Sequence, residues 1–509
     1  MLAHLLLVAF FFQPNPTYVI SGTVVNRIDG KPLEGVRVSL GAATSETLTT
    51  GRDGKFRFEG LKQGKYGLRA ERNGFGRQSY RQRSLYANLS TGIVTGEHET
   101  TENLVFGLIP ESVISGTITD GRGNPVPGLR VLAYPISGVG ENRRAVATFR
   151  AGISDDRGEY RIPGLPAGSY ALVYAGWTTE ALPDSTTPSA YPTTYFPGAA
   201  SASDAGLLRV ESGKETRADA IVRPVAAGRV TVKIDAPNPP QRSTVRITTQ
   251  GPFGTEPWVA TIQVFGNQTV VERVPVGRYH FNLLDGEDRP LGRSLVDVGP
   301  SGASVTIGSV PFARVVEKVE IQGTPANPSS PTVVRLLSPG MQGNRTLDAE
   351  GGAVIPSLPP GPYEIMVIKG SNLAITSVIA EGASVVGGLV HIPETGNVNL
   401  TIVANASIAQ AVGGRVLRGE KPESGMLVAL VPSKNWRNIL AYRFDQSDSD
   451  GTFNWGAVPP GDYLAFAFED GDPSDYADAN VITGLAAKGQ KVTITGDAKQ
   501  SISVQVTPR

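Results

Sequence analysis

Leu165-Pro-Ala-Gly168-Ser-Tyr170 decides how this chain is built, because the pattern occurs five times. Its counterparts are Leu61-Lys-Gln-Gly64-Lys-Tyr66, Val274-Pro-Val-Gly277-Arg-Tyr279, Leu358-Pro-Pro-Gly361-Pro-Tyr363 and Val458-Pro-Pro-Gly461-Asp-Tyr463. Successive tyrosines are 104, 109, 84 and 100 residues apart, which sets an organisation of about five modules. In each copy an apolar residue closes one strand, Gly (usually with Pro) makes the turn, and Tyr opens the next strand. Alternation then resumes, as at Tyr66, Leu68 and Ala70. Recurrence in every module assigns these tyrosines to packing and hydrogen bonding at a corner, not to a ligand.

Working outward, Asp53-Gly54-Lys55-Phe56, Arg157-Gly158-Glu159-Tyr160 and Asp450-Gly451-Thr452-Phe453 read as turns feeding a strand whose aromatic faces the core. Ile20-Ser-Gly22-Thr-Val24 and Ile114-Ser-Gly116-Thr-Ile118 open the first two modules, and segments such as Leu104–Leu108 close them. About seven short strands per module and no amphipathic helix of three turns predict an all-β tandem array of sandwiches. Composition agrees: of 509 residues, 60 are Gly and 38 Pro, only 18% are charged and 40% are hydrophobic. With 47 basic and 47 acidic residues, no net charge draws the chain to nucleic acid. The absence of Cys excludes disulfides, thiolate metal sites and cysteine nucleophiles, and four His leave little for histidine metal chemistry.

These residues resemble the carboxypeptidase regulatory-like domain, a transthyretin-like or prealbumin-like sandwich of a carbohydrate-binding-like fold group. The Ile-Ser-Gly-Thr-Val opening, the turn from Gly30 to Val36, the Asp-Gly-Lys-Phe turn and the Tyr corner carry the likeness. It covers nearly all of the first two modules and the second half of the fifth. The third and fourth keep only the corner, as divergent or immunoglobulin-like sandwiches. The expected division is a signal-like segment and leader at 1–17, then sandwiches at 18–110, 111–226 (with a long insertion), 227–313, 314–409 and 410–509. Short junctions near Pro110, Ala227, Ala313 and Gln410 predict an extended, semi-rigid string.

The resemblance implies an accessory module without catalysis. No nucleophile elbow, dinucleotide fingerprint or complete phosphate loop is present. His391-Ile-Pro-Glu394 has a zinc-pair spacing but no further His follows it. A second likeness, to the collagen-adhesin B-type sandwich, raises an isopeptide crosslink. The first strands carry Asn26 and Arg27, or Arg415 and Arg418, with no Lys, so none is expected.

Leu2–Phe12 is an apolar run too short to span a bilayer and suited to a secretory signal, so a secreted, periplasmic or cell-surface location is expected, with no transmembrane span in the mature chain. Aromatics outside the repeated framework are the candidate ligand contacts: Trp177, Tyr191, Tyr195 and Phe196 in or beside the insertion of the second module, and Trp436 and Tyr442 in the fifth. Two segments are charge-biased. Lys62, Lys65, Arg69, Arg72, Arg77, Arg81 and Arg83 face only Glu71, a patch fit for an acidic glycan or headgroup. Asp445 to Asp478 holds nine acidic residues and no Lys or Arg, and calcium at its 469–478 loop is the one cation left open; no other cofactor is expected. The expected function is a noncatalytic envelope protein that binds, carbohydrate first, or spaces. The alternatives are a structural or protein-adhesive rod and a polysaccharide hydrolase with an unrecognised carboxylate pair.

Overall fold

The computed structural model describes residues 17–508 apart from 42–45, 84–88, 139–142, 146–148, 177–187, 236–241, 285–289, 309–311, 326, 339–340, 347–351, 370, 387–388, 407–411, 435, 437–441, 457, 459–460, 477 and 496–499. The signal-like segment and Trp177 lie outside the described residues.

One pairing recurs five times. The first strand of each module sits mid-sheet, antiparallel to the strand after the turn and parallel to the module's last strand. Tyr18–Asn26 lies between Lys55–Leu61 and Leu104–Leu108. Ser112–Asp120 lies between Glu159–Leu165 and the pair Glu215–Arg217 and Ala220–Val222. Val225–Asp235, Ala313–Gln322 and Val412–Arg418 repeat the arrangement. A second sheet closes each sandwich. In the fourth module the strand Ser371–Glu381 pairs with both layers and joins them into one nine-stranded sheet. The fold is therefore all-β, a tandem array of sandwiches. The two α-helices among the described residues, Pro473–Tyr476 and Ala479–Leu485, are short.

The motifs now have physical reasons. A Cβ on Gly22, Gly116 or Gly414 would come within 2.1 Å of Leu104 O, 2.2 Å of Ala218 O or 2.4 Å of Ile502 O, so glycine on the first strand lets the last strand approach. Gly54, Gly158 and Gly451 have φ of 69°, 72° and 81°, and their carbonyls accept from Val24, Ile118 and Val416 N–H at 2.8 Å. At the corners the Tyr66, Tyr170 and Tyr363 hydroxyls donate to the carbonyls of Lys62, Pro166 and Pro359 at 2.9, 2.7 and 3.0 Å.

A further element was not read from sequence. Thr50, Ser154 and Ser447 are buried hydroxyls, each four residues before its turn glycine. They accept from Val36, Leu129 and Met426 N–H and donate to Leu33, Val126 and Glu423 O, clamping the loop that enters the second sheet.

Modules also pack on one another. Arg130–Ser137 and Gly168–Ala175 carry unbroken buried runs, because one face meets the second module's own core and the other meets the third module. Leu132, Tyr134, Val173 and Tyr195 share one apolar cluster with Val245, Tyr279 and Phe281. The Arg130 guanidinium lies 4.1 Å from the Trp258 ring centroid, and Ser189–Ala190 pairs with the third module's first strand. In the fifth module, Leu427, Ala429, Leu464 and Phe466 turn outward under the helix Ala479–Leu485, where Leu89 of the first module also packs. The first and fifth modules touch directly: Lys65 pairs with Asp448 at 2.6 Å and Ser449 N–H donates to Gly92 O at 2.9 Å. The expected extended string is thus corrected, since its two ends are docked.

Burial raises the Asp445, Asp448 and Asp475 carboxyls above the ordinary aspartate range. Lys65 and backbone N–H groups only partly oppose this at Asp445 and Asp448, as does the Asp472 N–H at Asp475. A raised native pKa means the folded module holds protons more tightly than the unfolded chain. The stability it confers is full below about pH 4 and is lost as pH rises through the raised values. The fifth module is expected to melt at higher temperature near about pH 5 than near about pH 8. Trp455 fluorescence, in a chain whose other three tryptophans are Phe, reads this; an unchanged or reversed order would refute it.

Candidate ligand groove on the second module

Ala218 O sets the geometry of the site. It accepts from the Tyr160 hydroxyl at 2.5 Å and the Tyr174 hydroxyl at 3.3 Å, both buried, and it sits where Gly116 leaves room. This pins the break between the strands Glu215–Arg217 and Ala220–Val222. Asp219 falls at the break and turns outward. Thr117 N–H donates to its Oδ1 at 2.8 Å and Arg217 Nε to its Oδ2 at 2.9 Å, while Arg217 also donates to Thr117 Oγ1 at 3.0 Å.

Opposite, the chain after Thr194–Tyr195 runs through Pro197, Gly198 and Ala199 into the turn Ala202–Asp204, whose start is capped by the Ser201 hydroxyl. Between these walls lies a groove of about 740 Å³ lined by Thr117, Thr119, Pro197, Asp204, Asp219, Ile221 and Arg223 among others. Ile221 is half exposed there. Two carboxylates, two threonine hydroxyls and a guanidinium beside an apolar floor suit a ligand with many hydroxyls and a nonpolar face.

The sequence-predicted aromatics fall elsewhere. Tyr191 and Tyr195 are 8% and 4% exposed. Tyr195 donates to Gln250 O of the third module at 2.7 Å, and burial pushes its hydroxyl pKa up to about 12. Tyr442, 6% exposed, donates to Trp436 O at 2.6 Å, and burial raises its pKa too. These three rings are covered by protein, which withdraws them from stacking on a ligand. Trp436 is half-buried against the outward cluster of the fifth module. Phe196 is half-buried against the second core and does not line the groove, although the next residue, Pro197, does. Asp204 and Asp219 carried no sequence signal, being fifteen residues apart in unremarkable turns.

The acidic segment is engaged internally: Glu469 pairs with Arg418, Asp475 accepts from Asp472 N–H, and Asp478 caps the helix Ala479–Leu485. Among the described residues no three His, Asp or Glu converge as a cation site. No helix among them is long and apolar enough to cross a membrane.

A tandem β-sandwich array with a polar groove on one bead is the class that fold and site define. Residues 19–95 match the family of the carboxypeptidase regulatory-like domain. No curated protein matches the chain significantly in sequence. Among solved structures it is similar to a streptococcal ancillary pilin (11% identity, covering 58% of this chain and 99% of that one, TM-score 0.18). It is similar to the TIE protein of Bacillus anthracis (11% identity, 78% and 76% covered, TM-score 0.18). A third is the minor pilin of Streptococcus agalactiae (18% identity, 43% and 99% covered, TM-score 0.22). Superpositions at this level leave the role to be argued from the chain's own residues.

Proposed function

We propose that this chain is a noncatalytic exported protein of the cell envelope, in which the second module binds carbohydrate and the other modules space and support it. The observation that carries the reading is the groove, where Asp219 is held as an acceptor by Thr117 and Arg217 beside the exposed Ile221. Carboxylates and hydroxyls match sugar hydroxyl groups, and the apolar floor matches the carbon face of a ring.

A glycan array probed with the chain tests it. Asp219→Ala is expected to lower the signal by about tenfold or more, the loss of a charge-assisted hydrogen bond or two. Tyr442→Phe, remote from the groove, should bind as the parent does. No sugar signal from the parent favours the structural or adhesive rod. Polysaccharide turnover that disappears in Asp204→Asn or Asp219→Asn would favour the hydrolase reading instead.

A further inference from the structure

The two charge-biased segments meet. Lys65, Arg81 and Arg83 of the basic patch all reach the fifth module, where Asp448 is buried. Lys65 Nζ lies 2.6 Å from Asp448 Oδ2, and Gly92 N–H donates to Asp448 Oδ1 at 3.0 Å. Arg81 donates to Ser424 Oγ at 2.7 Å; Arg83 donates to Gly425 O at 2.9 Å and Phe468 O at 3.1 Å. In return the Gln446 amide donates to Arg81 O and Thr91 Oγ1, while Val94 N–H donates to Ser449 Oγ. Leu89 supplies an apolar contact.

Two properties of this contact matter together. It joins different faces, one from each end of the chain, so it is heterologous. Paired between molecules it would join copies head to tail, in closed rings or open chains. It also rests chiefly on hydrogen bonds and an ion pair, the composition of interfaces that open and re-form. The shared apolar cluster of the second and third modules is the opposite case.

We propose that the pair of faces is exchangeable: the first module of one molecule accepts the fifth module of a second copy, and the contacts that close one chain join copies head to tail. Pairing within the chain wins when dilute. Pairing between chains takes over as concentration approaches the effective concentration of the two ends, in the mM range for flexible links and lower where the bent array resists closure.

Because the chain has no Cys, single cysteines report cleanly. Val94 N and Ser449 Oγ are 2.9 Å apart, which keeps the two Cα atoms within about 7 Å, the reach of a disulfide, so Val94→Cys and Ser449→Cys are the crosslinking pair. With oxidised glutathione, the dilute double variant is expected to form a disulfide within one chain. The two single variants, mixed at up to about 1 mM, are expected to form mixed dimers well above either homodimer, and Arg83→Ala in the Val94→Cys chain should abolish that excess. Internal crosslinking of the double variant with no excess of mixed dimers would overturn the exchange. No crosslink in the double variant would overturn the contact itself.

Discussion

Gly116→Val is expected to keep the second module from closing. A Cβ at this position would lie 2.2 Å from Ala218 O and 2.9 Å from the Tyr160 ring. The carbonyl cannot retreat, because the buried Tyr160 and Tyr174 hydroxyls both hold it. Relief requires the last strand to peel from Ser112–Asp120, giving up the register Glu215↔Val113 through Arg217↔Ser115 and, beyond the break, Ala220↔Ile118. Backbone against backbone leaves no rotamer to absorb the overlap, so the cost is expected on the order of 3 kcal/mol or more. The groove goes with it, since Asp219 stands on the same break. Gly299→Ala is the control: a Cβ there meets nothing within 4 Å. Denaturant unfolding with limited proteolysis reads both, cleavage in Gly116→Val being confined to the second module. A variant as resistant as the parent would show that the glycine is not sterically required.

The same position shows why much of the fold was legible. Corner and opening motifs are short-range statements: a glycine fits where a neighbouring strand or a positive φ demands it, and a tyrosine reaches back four residues along its own chain. Such constraints repeat with the module and can be read from one sequence. The hydroxyl clamp of Thr50, Ser154 and Ser447 obeyed the same logic at a fixed offset, but Thr and Ser are too common in turns to stand out. What lay beyond one module was harder. Tyr191, Tyr195 and Tyr442 looked like free aromatics because their covering surfaces come from other loops or the next module. The basic and acidic segments looked like sites for outside ligands because the contacts that join the first module to the fifth span more than 340 residues of chain. One long-range signal was present: Val131–Ile136 and Leu427–Val431 are apolar without alternation, the mark of strands covered on both faces, whereas Arg37–Gly41 alternates. That contrast marks the second and fifth modules as those with neighbours on their outer faces.

Val173→Asp is expected to separate the second and third modules without unfolding either core. Val173 is fully buried, and its side chain belongs to the cluster shared with Val245, Tyr279 and Phe281; its neighbours Leu172 and Tyr174 point into the second module's own core. A carboxylate at position 173 therefore enters the seam between modules. Opening the seam to water is its cheapest relief, and the lost coupling is expected on the order of 3 kcal/mol or more. In the parent, the shared cluster, the Tyr195 to Gln250 hydrogen bond and the pairing of Ser189–Ala190 with Val225–Asp235 make the two modules one cooperative body. Calorimetry should accordingly show one transition spanning both modules in the parent and two in Val173→Asp. Val270→Asp, on a third-module residue 45% exposed to solvent, should shift the parent transition by no more than about 0.5 kcal/mol. If Val173→Asp left one unshifted transition, the outer face of Gly168–Ala175 would have to be wet. The rigid joint between the second and third modules would then be lost, and with it the contrast that makes the polar contact between the chain's ends the exchangeable one.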